Sequence, residues 1–136
     1  MAPGRRTRIL IVDDSAVMRS LLRSVACADG SLEVAGTAAD GQSALTAIET
    51  LRPNLILLDL NLSKYTGEDI IREIRNVAHL AAVPLCVWSS SRSRQDESQL
   101  KSLGVSRFIP KPSGLGQFME IGKILKELLD AAKVGV

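Results

Sequence analysis

Several residues that can bind a cation or a phosphoryl group lie one or two residues beyond the ends of short apolar runs of the sequence. Such positions hold three carboxylates, a hydroxyl and an amine: Asp13, Asp14, Asp59, Ser89 and Lys111. If they converge, the three acids repel one another strongly unless a cation neutralises them. Oxygen ligands that leave room for water suit Mg²⁺. A lysine facing this cluster makes Asp59 a candidate nucleophile toward phosphorus, with Lys111 and Ser89 binding the transferred phosphoryl oxygens.

Convergence requires that the apolar runs be strands of one sheet. Five runs have strand length, at residues 8–12, 32–37, 54–58, 83–88 and 107–109. The first, third and fourth are continuous rather than alternating, which is typical of parallel strands covered on both faces. Because the carboxyl ends of parallel strands share one edge, where such folds bind ligands, we expect the candidate residues to meet there.

Segments with helical periodicity separate the strands. They lie at residues 15–28, 42–51, 68–77, 92–103 and about 115–132, the fourth being polar and weakly periodic. Asp14 and Ser15 are both suitable N-caps for the first helix. The alternation of strand and helix predicts a doubly wound α/β fold with right-handed crossovers. We expect one domain at residues 8–132, between a flexible basic tail at 1–7 and a short tail at 133–136.

Composition and charge exclude several classes of protein. With 46% hydrophobic residues and a net charge of +2, the chain fits neither a disordered segment nor a strongly basic nucleic-acid-binding protein. Its two cysteines, Cys27 and Cys86, form neither a disulfide framework nor a metal-ligand spacing. No stretch approaches the roughly 20 apolar residues that span a bilayer, and the start of the chain does not fit a signal peptide. We therefore expect a cytoplasmic protein with no nucleic-acid or membrane partner.

Five stretches of the sequence, taken in order, form a specific pattern. They are residues 9–15 (Ile-Leu-Ile-Val-Asp-Asp-Ser), 40–41 (Asp-Gly), 57–62 (Leu-Leu-Asp-Leu-Asn-Leu) followed by Gly67, 83–89 (Val-Pro-Leu-Cys-Val-Trp-Ser) and 104–112 (Gly-Val-Ser-Arg-Phe-Ile-Pro-Lys-Pro). With this pattern the chain resembles the CheY-like receiver domains of response regulators over nearly its whole length. The resemblance implies a flavodoxin-like (βα)5 fold whose five-stranded parallel sheet has the strand order 2-1-3-4-5.

The resemblance also implies a phosphorylation site. Asp59 matches the residue that accepts a phosphoryl group from a phosphohistidine of a sensor histidine kinase. Asp14 matches a direct ligand of Mg²⁺, alongside Asp59 and the backbone carbonyl of Asn61, whereas Asp13 is implied to act through water. Lys111 matches the lysine that binds the phosphoryl group.

Two matching residues imply a switch. Ser89 corresponds to the switch hydroxyl and Phe108 to the switch aromatic residue, which move together on phosphorylation and reshape the surface of the fourth helix, fifth strand and fifth helix. Two residues depart from the pattern: Ser63 stands where proline is common, and Trp88 is bulkier than the usual aliphatic residue.

Two subfamilies compete within this family. Residues 12–19 are similar to chemotaxis-type receivers, whereas residues 77–82 and 111–118 resemble single-domain regulators paired with bacteriophytochrome kinases, the pairing that we slightly prefer. A wide apolar stripe on the last predicted helix is compatible with a homodimer. Few residues follow that helix, so we expect a single-domain regulator. Its output would be binding of an effector protein, transfer of the phosphoryl group to a downstream phosphotransfer protein, or action as a phosphate sink.

Two other functions are weaker interpretations. A Mg²⁺-dependent phosphatase with an aspartyl nucleophile usually has a second acid two residues after it, and Asn61 occupies that position, so we expect no enzyme beyond self-phosphorylation and autodephosphorylation. A pseudo-receiver that binds partners without phosphate is disfavoured, because the acids, the hydroxyl and the lysine are all present.

Overall fold

A parallel β-sheet forms the centre of the protein. The computed structural model describes residues 7–28, 30, 32–60, 67–76, 84–89, 98, 101–105 and 107–110. The sheet has the order β2-β1-β3-β4-β5, with strands β1 (Thr7–Val12), β2 (Leu32–Ala38), β3 (Leu55–Asp59), β4 (Leu85–Ser89) and β5 (Arg107–Pro110). The helices α1 (Ala16–Ala28), α2 (Gly41–Leu51) and α3 (Gly67–Asn76) lie between these strands in sequence. The flavodoxin-like order 2-1-3-4-5 is thereby confirmed.

Helices cover both faces of the sheet, because alternate strand residues point to opposite sides. One core cluster joins residues of β1, β3 and β4 to α2 and α3, including Leu10, Leu58, Val87, Ile48 and Ile71. The other joins the intervening strand residues to α1, including Ile9, Leu57, Cys86, Leu22 and Val25. The four apolar residues of β3 are at most 1% exposed. The continuous apolar runs are therefore strands covered on both faces, as predicted.

Strand β2 carries a bulge beside a close contact with α2. Ile9 pairs with Val34, but Leu10 pairs with Gly36, so Ala35 is an extra residue in β2. A Cβ atom built on Gly36 would lie 2.6 Å from Cδ1 of Leu51 in the last turn of α2. The helix packs against β2 in this position because residue 36 has no side chain.

The ends of the helices are fixed by local hydrogen bonds. Ser15 is the N-cap of α1, since the backbone N–H of Met18 donates to its Oγ at 3.3 Å. Asp40 is the N-cap of α2 and accepts from the N–H of Ser43 at 2.8 Å. Arg52 ends α2 in the left-handed conformation (φ 47°). Of the two N-caps proposed for α1, the structure selects Ser15.

Some predicted features differ or lie outside the described residues. β1 begins at Thr7, which the apolar pattern assigned to the tail because its side chain is polar; Thr7 pairs with Leu32 and is buried. The helix predicted at 115–132, most of the helix predicted at 92–103, and residues 1–6 and 133–136 are not among the described residues. Within the described ranges, no helix is long and apolar enough to cross a membrane.

The contact at Gly36 predicts a stability change. Gly36→Ala places a methyl group 2.6 Å from Cδ1 of Leu51, the far end of a flexible side chain that has to shift. We expect the free energy of unfolding to fall by about 1 kcal/mol relative to Gly30→Ala, the low end of the range for overpacking, as measured by urea denaturation. Gly30→Ala is the matched control, since a Cβ there meets no atom within 4 Å. Adding Leu51→Ala to Gly36→Ala makes room for the methyl group, so the two effects are less than additive. A Gly36→Ala protein as stable as the Gly30→Ala protein would contradict this packing.

Candidate functional site

Three carboxylates meet at the carboxyl edge of the two central strands. Asp13 and Asp14 directly follow β1, and Asp59 is the last residue of β3. The two strands are parallel neighbours, with Val12 aligned to Leu58, so the acids after them lie at the same level. One carboxylate oxygen from each of the three residues lies within 4.8 Å of the other two. The structure thus brings together the three acids that the sequence pattern singled out.

Three hydrogen bonds fix Asp13 at the start of this turn. Its backbone N–H donates to the carbonyl of Ala38 at the end of β2, at 3.0 Å. Its Oδ1 accepts from the backbone N–H of Ser15 at 2.9 Å. Its carbonyl oxygen accepts from Nη1 of Arg19, on the first turn of α1, at 2.8 Å. The backbone that carries Asp13 and Asp14 is therefore tied to β2 on one side and to α1 on the other.

The three carboxylates differ in burial. Asp13 and Asp59 are 0% exposed, whereas Asp14 is exposed to solvent. Two negative charges 4.8 Å apart repel by about 1 kcal/mol in water and by about 3 kcal/mol at the effective dielectric constant of a protein surface. The cluster therefore favours a ligand that brings positive charge.

The donor set fits a small hard cation. All three ligands are carboxylate oxygens, close enough together to share one ion, and the exposed Asp14 leaves one side of the cluster open to water. Mg²⁺ prefers such oxygen ligands and retains several of its waters. The residues present therefore fit Mg²⁺, with Asp13, Asp14 and Asp59 as the described residues able to hold it.

The remaining predicted residues are placed only in part. Trp88 of β4 is aligned with Asp59, so Ser89 lies one residue further along, at the edge that holds the acids. Phe108 of β5 is aligned with Val87, is partly buried and packs against the core cluster of α2 and α3. The side chain of Ser89 is not described, and Asn61 and Lys111 lie outside the described residues.

Arg19 belongs to this site but was not among the residues predicted from the sequence. Its guanidinium holds the carbonyl of Asp13. The available signal was its position four residues after the N-cap Ser15, because such a residue lies one helical turn further on the same face.

The sequence matches a known family over most of its length. Residues 9–123 match the family described as response regulator receiver domain. A protein-glutamate methylesterase/protein-glutamine glutaminase from Nocardioides sp. is 33% identical over 126 residues, which cover 91% of this chain and 33% of that protein. Relatives with the same name occur in Pyrococcus abyssi and Bacillus subtilis. The chain spans about a third of the length of the curated relatives that it matches.

Solved structures with the same fold include the receiver of a CheB protein and a phytochrome response regulator. The response regulator domain of Thermotoga maritima CheB has a TM-score of 0.82 at 26% identity, covering 95% of this chain and 98% of that one. The phosphorylated cyanobacterial phytochrome response regulator RcpA also has a TM-score of 0.82, at 29% identity and with 91% and 94% coverage. The Mn²⁺-bound form of the response regulator Rcp1 has a TM-score of 0.78 at 26% identity, with 89% and 92% coverage.

The crowding of the carboxylates predicts that removing one of them stabilises the metal-free protein. Asp13→Asn keeps an oxygen acceptor for the N–H of Ser15 but removes one buried charge. It therefore raises the free energy of unfolding in the presence of a chelator by about 1–3 kcal/mol, the repulsion between two charges at this separation. Urea denaturation at neutral pH measures the change.

Asp40→Asn is the matched control for this variant. Asp40 also follows a strand, but it serves as the N-cap of α2, a role that asparagine fills equally well. Its substitution is expected to leave stability nearly unchanged. Equal effects of the two substitutions would show that the acids at the edge of β1 and β3 do not repel one another.

Proposed function

Because the chain belongs to the receiver-domain family of response regulators, we propose that it accepts a phosphoryl group on Asp59 from a sensor histidine kinase. The observation that carries this proposal is the position of Asp59: it is fully buried at the end of β3, with a carboxylate oxygen within 4.8 Å of oxygens of Asp13 and Asp14. A histidine kinase as phosphodonor follows from the family.

The proposed reaction moves a phosphoryl group from nitrogen to oxygen. A carboxylate oxygen of Asp59 attacks the phosphorus of a phosphohistidine, the new O–P bond forms as the N–P bond breaks, and the released imidazole takes up a proton. Receiver domains bind Mg²⁺ in an acidic pocket, where the cation offsets the charge on the phosphoryl oxygens. In this chain Asp14 and Asp59 would hold the cation directly, Asp13 through water, and Asn61 through its carbonyl.

Two further residues are proposed to bind the transferred group. Ser89 ends β4 one residue beyond the partner of Asp59, so its backbone lies at the edge where a phosphoryl group on Asp59 would sit. Lys111 directly follows β5, the neighbour of β4 in the sheet. A hydroxyl donor and an ammonium group near a dianionic phosphoryl group form charge-assisted hydrogen bonds, which hold it in the pocket.

The proposed output is a movement of Phe108. Its ring is partly buried against the core cluster that includes Ile70, Ile71 and Ile74 of α3. We propose that the Ser89 hydroxyl turns toward the phosphoryl group and that the ring fills the space it leaves. Phosphorylation adds about two negative charges, which bias the equilibrium between the two arrangements. The surface around β5 changes in consequence.

The comparisons favour a chemotaxis-type role over the phytochrome-linked role that residues 77–82 and 111–118 suggested. The relatives from Nocardioides sp., Pyrococcus abyssi and Bacillus subtilis are named methylesterase/glutaminase and are 33% to 35% identical to this chain. The receiver of CheB and the phytochrome regulator RcpA have the same TM-score, so structural similarity does not separate the two roles. We therefore propose a chemotaxis-type phosphodonor.

Phosphorylation of Asp59 is directly testable. Incubation with Mg²⁺ and acetyl phosphate is expected to add one phosphoryl group, seen by intact-mass spectrometry, because small phosphodonors need only the pocket and not the kinase surface. Asp59→Asn removes the nucleophile and abolishes the addition. Asp69→Asn is the control, since Asp69 is an exposed carboxylate on α3. Persistent addition in Asp59→Asn, or none in wild type with any donor or kinase, would refute the assignment.

The metal assignment gives a second test. Asp14→Ala removes the solvent-exposed carboxylate of the cluster and is expected to raise the Mg²⁺ concentration needed for half-maximal phosphorylation at least tenfold, a loss of about 1.4 kcal/mol of binding free energy. The rate with acetyl phosphate at increasing Mg²⁺ measures it. Asp69→Ala leaves the Mg²⁺ dependence unchanged. An unaltered Mg²⁺ dependence in Asp14→Ala would remove this residue from the ligand set.

A further inference from the structure

A side chain of α3 holds the turn that precedes β5. Arg75, near the end of α3, donates from Nε to the carbonyl of Leu103 at 3.3 Å and from Nη2 to the carbonyl of Gly104 at 2.7 Å. Both acceptors lie between the helical residues Lys101 and Ser102 and the start of β5. One guanidinium therefore connects α3 to a segment 28 and 29 residues later in the chain.

The turn has a shape that accommodates this guanidinium. Gly104 has a φ of +85°, which other residues rarely adopt, and a Cβ built on it would lie 3.1 Å from Nε of Arg75. Its own N–H donates to the carbonyl of Lys101 at 3.0 Å, which closes the turn. Carbonyl groups at the end of a helix lack helical partners and carry partial negative charge, so they favour a cation. The guanidinium of Arg75 satisfies two such carbonyls at once.

The contact of Arg75 with the turn does not depend on pH in the physiological range. Partial desolvation lowers the pKa of Arg75. An arginine nevertheless stays protonated throughout the physiological range, because its ordinary pKa is above 12. The hydrogen bonds from Arg75 therefore persist throughout the physiological pH range.

The turn that Arg75 holds, at Leu103 and Gly104, lies in the same packed region as Phe108. Leu103, Val105 and Phe108 all pack in the core cluster that contains Ile70, Ile71 and Ile74 of α3. Val105 is 8% exposed, so the chain is anchored on the core directly after the turn. Phe108 follows three residues later, on β5. The position at which β5 begins thus determines where the Phe108 ring can lie.

We propose that Arg75 is a positioning residue for Phe108: its guanidinium fixes the turn at Leu103 and Gly104 to α3, so that phosphorylation moves the ring against a strand whose start stays in place. This inference rests on the proposed function, in which phosphorylation of Asp59 changes the position of that ring. We call the contact of Arg75 with Leu103 and Gly104 the clamp. Without the clamp, the turn takes up part of the movement, and the Phe108 ring occupies both positions before phosphorylation.

Fluorine NMR of protein labelled with fluorophenylalanine tests the proposal. The chain has two phenylalanines, and Phe118→Leu identifies the resonance of Phe108. In wild type, Mg²⁺ with acetyl phosphate or beryllium fluoride is expected to shift the Phe108 resonance. In Arg75→Met, that resonance is already displaced toward the phosphorylated position in the absence of a phosphodonor, and phosphorylation shifts it by less than half as much.

Two further variants separate positioning from general stability. Arg75→Lys keeps the charge but not the two-pronged donor, so it restores the wild-type shift only in part; it also serves as the test if Arg75→Met fails to fold. Arg72→Met is the matched control, since Arg72 lies exposed on the same helix and its loss leaves the Phe108 resonance as in wild type. A destabilised Arg75→Met protein with the wild-type resonance and the full shift would overturn the proposal.

A failure of the proposed function remains distinguishable from a failure of this inference. If intact-mass data show no phosphoryl group on wild type, the phosphoacceptor assignment fails. Amide hydrogen exchange at Gly104 and Val105 then still tests the clamp in the unmodified protein. Exchange at least tenfold faster in Arg75→Met than in Arg72→Met supports the clamp, and equal exchange refutes it.

Discussion

The mutual repulsion of Asp13, Asp14 and Asp59 is the constraint on which the rest of the structure depends. Two of these side chains are fully buried, and all three offer oxygens within 4.8 Å of one another. Such an arrangement survives only where the surrounding fold supplies enough stability, which here comes from the two apolar layers on either side of β1 and β3. Binding of a cation is favoured in turn, because its charge offsets the repulsion between the three carboxylates.

The sheet and its functional edge could be predicted because they depend on local patterns. Leu55 to Leu58 form a short continuous apolar run, and a strand covered on both faces buries all four of them. Once β1 and β3 are parallel neighbours, geometry alone brings the residues after Val12 and Leu58 together. The order 2-1-3-4-5, by contrast, came from family resemblance, because periodicity does not specify which strands are neighbours.

The contacts that position the strands around the site could not be predicted in this way. They join residues that are distant in the sequence and meet only in the folded structure. The shift of register after Ile9 creates the bulge at Ala35 and brings Gly36 under Leu51, and neither strand shows this in its own pattern. Arg75 appears in the sequence as one more charged residue of an amphipathic helix. Its role depends on a turn 28 residues away whose glycine adopts a positive φ.

Arg19 and Arg75 place positive charge on opposite sides of the sheet in the same manner. Each donates to backbone carbonyls: Arg19 to Asp13 beside the acids, and Arg75 to Leu103 and Gly104 beside β5. A backbone carbonyl does not titrate and carries no net charge, so neither contact depends on the ionisation of its own acceptor. These contacts hold the backbone beside Asp13 and the turn before β5. In the proposed phosphorylation of Asp59, the added charge would therefore act on the side chains between the pocket and β5.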